Sequence, residues 1–183
     1  SRHIKDSITN VVFMGMGEPL VNYEATLKAI EILTELWGFA LGGRRITVST
    51  SGLTPMIEKF VQDSRGRVRL SVSLHSSDQE TRSHLVPINK KYKLSELIAS
   101  LEKIHKNLKR EITFEYTLIH GVNDSTKEAR GGSRLASRLG AKVNLIPYNP
   151  IREMDYESPS PAQVETFRKV LEGKKVHVSV RQT

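Results

Sequence analysis

The chain has 183 residues, 38% of them hydrophobic, which is enough for one packed domain over 1–183 and too few for two. Lys and Arg number 28 and Asp and Glu 20, so the net charge of +8 suits an anionic partner such as RNA, although charge alone does not speak to fold. There is no cysteine, which excludes disulfides, thiolate zinc sites and cysteine-ligated iron–sulfur clusters within these residues. No apolar run approaches the roughly 18 residues of a membrane span, and Ser1-Arg2-His3-Ile4-Lys5-Asp6 opens no apolar leader. A cytoplasmic setting with no membrane partner is the expectation.

Short β-type runs alternate with helical patterns along the chain. The first strand is expected at 8–14 (ITNVVFM), followed by the turn Gly15-Met16-Gly17-Glu18-Pro19 and a helix with Leu27, Ile30, Leu33 and Trp37 on one face. A strand at 44–50 (RRITVST), a helix at 54–62, a strand at 68–75 (VRLSVSLH) and a helix at 78–85 come next. Leu94, Leu97, Ile98, Leu101, Ile104 and Leu108 mark another amphipathic helix before a strand at 111–119 (EITFEYTLI). The helix at 125–139 carries Gly131 and Gly132, each costing about 1 kcal/mol against alanine, so irregularity is expected there. Then follow a strand at 142–147 (KVNLIP), a surface loop at 151–161 and a helix with Val164, Phe167, Val170 and Leu171 inward. A strand at 176–180 (VHVSV) closes the series. Repeated strand–helix–strand order predicts an α/β fold with a parallel sheet.

The strand phase adds a constraint. Parallel strands covered on both faces are near-continuously apolar, yet here Ile46 and Val48 alternate with Thr47 and Ser49. Likewise Leu70, Val72 and Leu74 alternate with Ser71, Ser73 and His75, and Phe114, Tyr116 and Leu118 with Thr113, Glu115 and Thr117. A closed barrel would fill its interior with branched apolar side chains. The alternation instead predicts an open, partial barrel whose polar concave face holds a polar ligand. Ligands of α/β folds bind at the C-terminal edge of the strands.

The turns at that edge each admit a functional and a structural reading. In Gly15-Met16-Gly17-Glu18-Pro19 the glycines allow close backbone approach and Glu18 could hold an ammonium group; equally, Glu18 could favour the next helix N-terminus. Ser49-Thr50-Ser51-Gly52 offers hydroxyls, with Ser51 or Thr54 read as a helix cap and Ser49 on the concave phase. Ser73 and His75 share that phase, and no second His stands at metal-ligand spacing, so no metal site is expected. His120, Asn123 and Asp124 read as a turn and cap for the helix at 125–139. Asn149 could read an adenine edge or a ribose, or make a turn before Pro150. Lys90-Lys91-Tyr92-Lys93 could touch a phosphate backbone, though a solvated loop explains it as well, and Arg44 and Arg45 fall at the opposite edge.

Taken in order, Val11-Val12-Phe13-Met14-Gly15-Met16-Gly17-Glu18-Pro19-Leu20, Arg44–Gly52, Ser73-Leu74-His75, Val86–Tyr92 and Asn144-Leu145-Ile146-Pro147-Tyr148-Asn149-Pro150 resemble the radical S-adenosylmethionine RNA methyltransferases. The best match is the dual-specificity RlmN family. The resemblance runs from about residue 8 to residue 181. It implies a partial (βα)6 TIM-like barrel of the radical SAM type. It implies that Gly17 and Glu18 hold the amino group of S-adenosylmethionine, that Ser49 contacts its polar end, that Ser73, Leu74 and His75 line its ribose or carboxylate, and that Asn149 reads its adenine. It further implies a 4Fe-4S cluster, an external electron donor, 23S rRNA and tRNA as substrates, and methylation of adenine carbon 2 by a monomer.

The family's C-x-x-x-C-x-x-C loop and its C-terminal methyl-carrying cysteine are not in this chain. The chain is therefore expected to be the core of a longer enzyme, with no catalytic residue of its own and no activity alone. Other readings stay open: the carbon-8 adenine methyltransferase of the antibiotic-resistance type, a non-catalytic RNA-binding module, and a barrel enzyme for a phosphorylated metabolite.

Overall fold

The computed structural model describes residues 8–181; the N-terminal hexapeptide inspected for a leader lies outside that range. Six strands form one sheet, every pairing parallel and in sequence order: β1 (Val11–Phe13), β2 (Ile46–Thr50), β3 (Arg69–Ser73), β4 (Thr113–Leu118), β5 (Lys142–Pro147) and β6 (Val178–Val180). β1 and β6 do not pair, so the sheet is an open arc, as the strand phase predicted. The helices are α1 (Tyr23–Thr34), α2 (Thr54–Asp63), α3 (Gln79–Leu85), α4 (Leu94–Ile104), α5 (Thr126–Leu139) and α6 (Pro161–Glu172). No helix among the described residues is long and apolar enough to cross a membrane.

Alternation decides which face each strand gives to the helices. Ile46, Val48, Leu70, Val72, Leu74, Phe114, Tyr116, Leu118, Val143 and Leu145 are all essentially inaccessible and join the helices' Ile57, Phe60, Leu97, Leu101, Phe167 and Leu171 in one core. Each such side chain is worth about 1.5–3 kcal/mol of burial. The opposite residues Thr47, Ser71, Thr113, Glu115 and Asn144 line a concave cavity of about 700 Å³. The two end strands are shorter than the sequence runs at 8–14 and 176–180, because each has only one neighbour to bond.

Three expectations change. Trp37 does not extend the α1 face; it is 70% exposed. α1 ends at Thr34, and the chain folds back so tightly that a Cβ on Gly38 would fall on the Ile32 carbonyl, which turns Trp37 outward. Leu108 lies beyond α4, after a short 3-10 turn at 105–107. Finally, α5 is regular despite its two glycines. A Cβ on Gly131 would run into the Ser77 side chain, so that glycine lets α5 approach the turn after β3. Gly132 meets only ordinary contacts, with Leu171 at 3.7 Å and Tyr116 at 3.9 Å.

Candidate functional site

Because all strands run the same way, every βα turn lies along one edge of the arc. The first turn carries Gly15 at φ +144 and Gly17 at φ +90, backbone conformations that favour glycine. Neither glycine has anything within 4 Å of a would-be Cβ, so the bend leaves open space beside it. That space is a cavity of about 550 Å³, lined among others by Gly15, Met16, Gly17 and Glu18. Glu18 Oε1 accepts from the Leu20 N–H at 3.1 Å. Its Oε2 accepts both the N–H and the hydroxyl of Ser51, each at 2.7 Å. Both structural readings are thereby corrected: Ser51 is not the cap of α2, whose N-cap Leu53 has no side-chain bond, and Glu18 joins the first two βα turns. A carboxylate has about four acceptor sites. Three are used here, so one on Oε1 remains for a ligand.

A second element, unpredicted from sequence, underlies the adjoining turns. Arg82 of α3 is 0% exposed. Its Nε donates to the Leu74 carbonyl at 3.1 Å, and its terminal nitrogens donate to the carbonyls of Ser51 at 2.8 Å and Ser73 at 2.9 Å and to Asn89 Oδ1. One guanidinium thus clamps the ends of β2 and β3 to the turn at 87–90. None of its partners is a carboxylate, and burial lowers its pKa to about 10, so it is still charged at neutral pH. Gly52, at φ +111, gives it room: a Cβ there would sit 3.1 Å from an Arg82 nitrogen.

His75 stands just past β3 in the left-handed region, at φ 55. Its Nδ1 accepts from the Thr117 N–H at 2.9 Å, which leaves Nε2 to carry the proton. Burial, reinforced by the Arg82 charge, lowers its pKa to about 4, so the ring is neutral at physiological pH. Around the turn, Asn123 accepts from the Ile119 N–H and donates to the carbonyls of His75 and Thr117. Asn123 is therefore a brace for the β3 and β4 ends. The cap of α5 is Ser125, not His120, Asn123 or Asp124. Glu128 of α5 accepts from Ser76, Ser77 and Tyr116 and closes this buried network. Burial and the nearby Glu128 carboxylate push the Tyr116 hydroxyl well above its ordinary pKa.

The remaining site residues divide. Ser49, 7% exposed, and half-buried Ser73 make no side-chain hydrogen bond among the described residues, nor does exposed Asn149. Leu74, between Ser73 and His75, has its side chain in the core at 0% exposure, while its N–H donates to the Glu115 carbonyl and its carbonyl accepts from Arg82, so only its backbone lies at the strand-end turn. The apolar phase of its strand sets that side-chain position. Glu18 and Asn149 lie on the same edge, at β1 and β5 respectively, with the β2 to β4 turns between them.

Near the β5 end a third cavity, of about 240 Å³, is lined by His75, His84, Thr117, Tyr148, Met154 and Tyr156, among others. The Tyr148 hydroxyl is buried without a partner among the described residues. Tyr156 packs edge-on against Tyr148 and shares a 2.9 Å hydrogen bond with His84 Nε2. On the concave face Glu115 accepts from Ser71 and Asn144, both at 2.7 Å, and Arg69 and Arg181 line the same cavity. Strand phase pointed to Glu115; nothing in the helical pattern pointed to Arg82.

An open parallel (βα)6 arc with a Gly-rich first turn is what the comparisons with known proteins match. The sequence fits the Radical SAM superfamily over residues 2–130. This chain belongs to that superfamily. Among relatives, it is 48% identical over 166 residues to the dual-specificity RNA methyltransferase RlmN of Sorangium cellulosum, covering 91% of this chain and 43% of the relative. It is 47% identical over 177 residues to the probable dual-specificity RNA methyltransferase RlmN of Desulforudis audaxviator, covering 97% and 55%. The crystal structure of a radical SAM methyltransferase from Sphaerobacter thermophilus superposes with a TM-score of 0.91 at 43% identity, over 98% of this chain and 52% of that one. A domain of pyruvate-formate lyase-activating enzyme from Bacteroides vulgatus, at 17% identity and TM-score 0.75, is similar in fold alone. The chain spans about half the length of the relatives it matches.

Radical SAM proteins use S-adenosylmethionine and a 4Fe-4S cluster. The residues here fit the first: an unused acceptor site on Glu18, unpartnered hydroxyls on Ser49, Ser73 and Tyr148, and a neutral His75 lie along one edge. They do not fit the second. The chain has no cysteine, and no group of three His, Asp or Glu among the described residues could hold a metal.

Proposed function

We propose that this chain is the S-adenosylmethionine-binding core of an RNA methyltransferase that modifies carbon 2 of adenine in 23S rRNA and tRNA, in the cytoplasm. The observation that carries the reading is a division of labour at the C-terminal edge. The polar groups that brace the turns (Arg82, Asn123, Glu128) are buried with every side-chain nitrogen and oxygen bonded inside the fold, while Ser49, Ser73 and Asn149 make no side-chain hydrogen bond among the described residues and half-buried Glu18 keeps one acceptor site. A buried, internally bonded brace beside neighbours with free polar groups is how a preorganised binding site is built.

S-adenosylmethionine supplies a methyl group activated on a sulfonium. The free acceptor site of Glu18 Oε1 takes its ammonium, with Gly15 and Gly17 letting the ligand approach the backbone. Ser49 and Ser73 offer hydroxyls to its polar groups. Neutral His75 donates from Nε2 and adds no positive charge that would repel the sulfonium. Asn149 both donates and accepts, which suits an adenine edge, and the aromatic cavity beside it has room for a purine. No reaction step is assigned to a residue of this chain.

Two measurements test the reading. Calorimetric titration of the chain with S-adenosylmethionine should show binding that Glu18→Gln weakens about 10- to 100-fold, the worth of one hydrogen bond to a charged group. Binding of a sugar phosphate with S-adenosylmethionine ignored would overturn it. A chimera carrying residues 8–181 in place of the matching half of the Sorangium relative should yield 2-methyladenosine in RNA; 8-methyladenosine would reassign the position, and no methylation by a folded chimera would contradict the proposal.

A further inference from the structure

The basic excess of the chain is concentrated at the edge opposite the S-adenosylmethionine site. Four segments lead into strands from the helix side: GRR at 43–45 before β2, RGRVR at 65–69 into β3, HKNLKR at 105–110 before β4 and GKK at 173–175 before β6. Together they hold ten Lys and Arg and no Asp or Glu, more than the net charge of +8 of the whole chain. All ten are exposed, and none forms an ion pair among the described residues. The neighbouring carboxylates of Glu111, Glu172, Glu31 and Asp63 are held by Lys142, Arg168, Lys28 and Lys59, while Glu35 lines a cavity with Arg65 and Arg67. At the other edge, the turn at 148–157 (YNPIREMDYE) sets one Arg against three acids.

The first three of these loops are tied to one another, while the loop at 173–175 is held by the Ser137 hydroxyl of α5, which donates to the Lys174 carbonyl at 3.1 Å. A Cβ on Gly43 would lie 2.8 Å from the Arg67 carbonyl, and the Gly66 backbone abuts Asn107 in the same way. The Lys109 N–H donates to the Gly66 carbonyl at 3.3 Å. The basic side chains of those three loops therefore project from one platform. Two of the basic residues of this edge occupy left-handed backbone positions where glycine is the usual choice, Arg65 at φ 53 and Lys175 at φ 59. Trp37 and Phe39, 70% and 62% exposed, stand in the same connection as Arg44 and Arg45.

The geometry points to this helix-to-strand edge as a second RNA-binding surface, one that grips phosphates remote from the S-adenosylmethionine site and stacks unpaired bases on Trp37 and Phe39. Acid-free basic loops suit a polyanion, guanidinium groups predominate and match phosphate geometry, and flanking aromatics suit unpaired bases. The choice of RNA over an acidic protein also rests on the function proposed above. The surface holds a long RNA while its target adenine reaches the far edge, and most of the binding is salt-sensitive.

The test is fluorescence anisotropy of a fluorescein-labelled RNA hairpin titrated with the 183-residue chain at about 50 and about 200 mM KCl. Arg65→Glu/Arg67→Glu should weaken binding at least about tenfold at low salt and flatten the salt dependence. Arg130→Glu/Arg134→Glu, an equal charge change on exposed positions of α5, should weaken it less than about threefold. If the Arg65 variant is unfolded by circular dichroism, Lys174→Glu/Lys175→Glu takes its place with the same expectation. Equal losses in the two double variants, no loss in either, or displacement of the hairpin by polyglutamate at matched charge would overturn the proposal. S-adenosylmethionine titration of the same variants should be unchanged. Placement-dependent RNA binding by a chain that ignores S-adenosylmethionine would overturn the proposed function and leave this surface standing.

Discussion

Arg82→Met removes the guanidinium and keeps most of the side chain's length. Four acceptors lose a hydrogen bond: the carbonyls of Ser51 and Ser73, the amide oxygen of Asn89, and the Leu74 carbonyl, which keeps a second donor, the Ser76 N–H at 2.7 Å. Asn89 is 0% exposed and the three carbonyls sit beneath the strand ends, so water replaces the guanidinium poorly. Each buried unsatisfied acceptor costs about 1–3 kcal/mol. Relief from burying a charge with no carboxylate partner offsets part of this. The net expectation is a destabilisation of roughly 3–4 kcal/mol, a large share of the roughly 5–15 kcal/mol typical of a domain. Urea unfolding followed by circular dichroism measures it as a lower midpoint at unchanged slope. Arg82→Lys, which keeps the charge but not the fork, should fall between wild type and Arg82→Met. A loss below about 1 kcal/mol for Arg82→Met would refute the clamp, since the freed oxygens would then have found other donors.

Gly131→Ala should destabilise by about 1–2 kcal/mol, because the added methyl collides with Ser77 and strains its bonds to Glu128. Gly132→Ala should stabilise by about 0.5–1 kcal/mol, since its space is free and alanine is the better helix former; thermal unfolding of the two variants checks both signs. His75 adds a pH dependence. Its folded pKa of about 4 lies below the ordinary 6.5, so the unfolded chain takes the proton first. The contribution is full above about pH 6.5, declines as pH falls from there towards 4, and is flat below, for a total of up to roughly 3 kcal/mol. His75→Asn, tolerant of a left-handed φ, should remove that slope from the unfolding free energy measured between pH 4 and 6.5.

The arc and its lining were legible because strand alternation is a local signal. Thr47, Ser71 and Glu115 could be placed on the concave face from period alone. The first turn was legible because two glycines flanking a strand end have few other uses. Arg82 was not, since a charged residue on a seven-residue helix reads as solvent-facing, and it is the one buried residue of that helix. Ser51 read as a cap because a hydroxyl before a helix has a local explanation. Its bond to Glu18 crosses 33 residues of sequence. For Leu74 the period of its strand alone places the side chain in the core, where it lies. Trp37 fitted the helical period of α1, but the period does not say where a helix stops.

The central claim is that the edge from Gly15 to Asn149 binds S-adenosylmethionine as one continuous site. Amide-resolved NMR of the chain titrated with S-adenosylmethionine addresses it directly. Saturable shifts should appear together at 15–20, 49–52, 73–76 and 148–150, with a common dissociation constant and none at 43–45 or 173–175. Shifts confined to one of these turns, or found only at the basic edge, would contradict it.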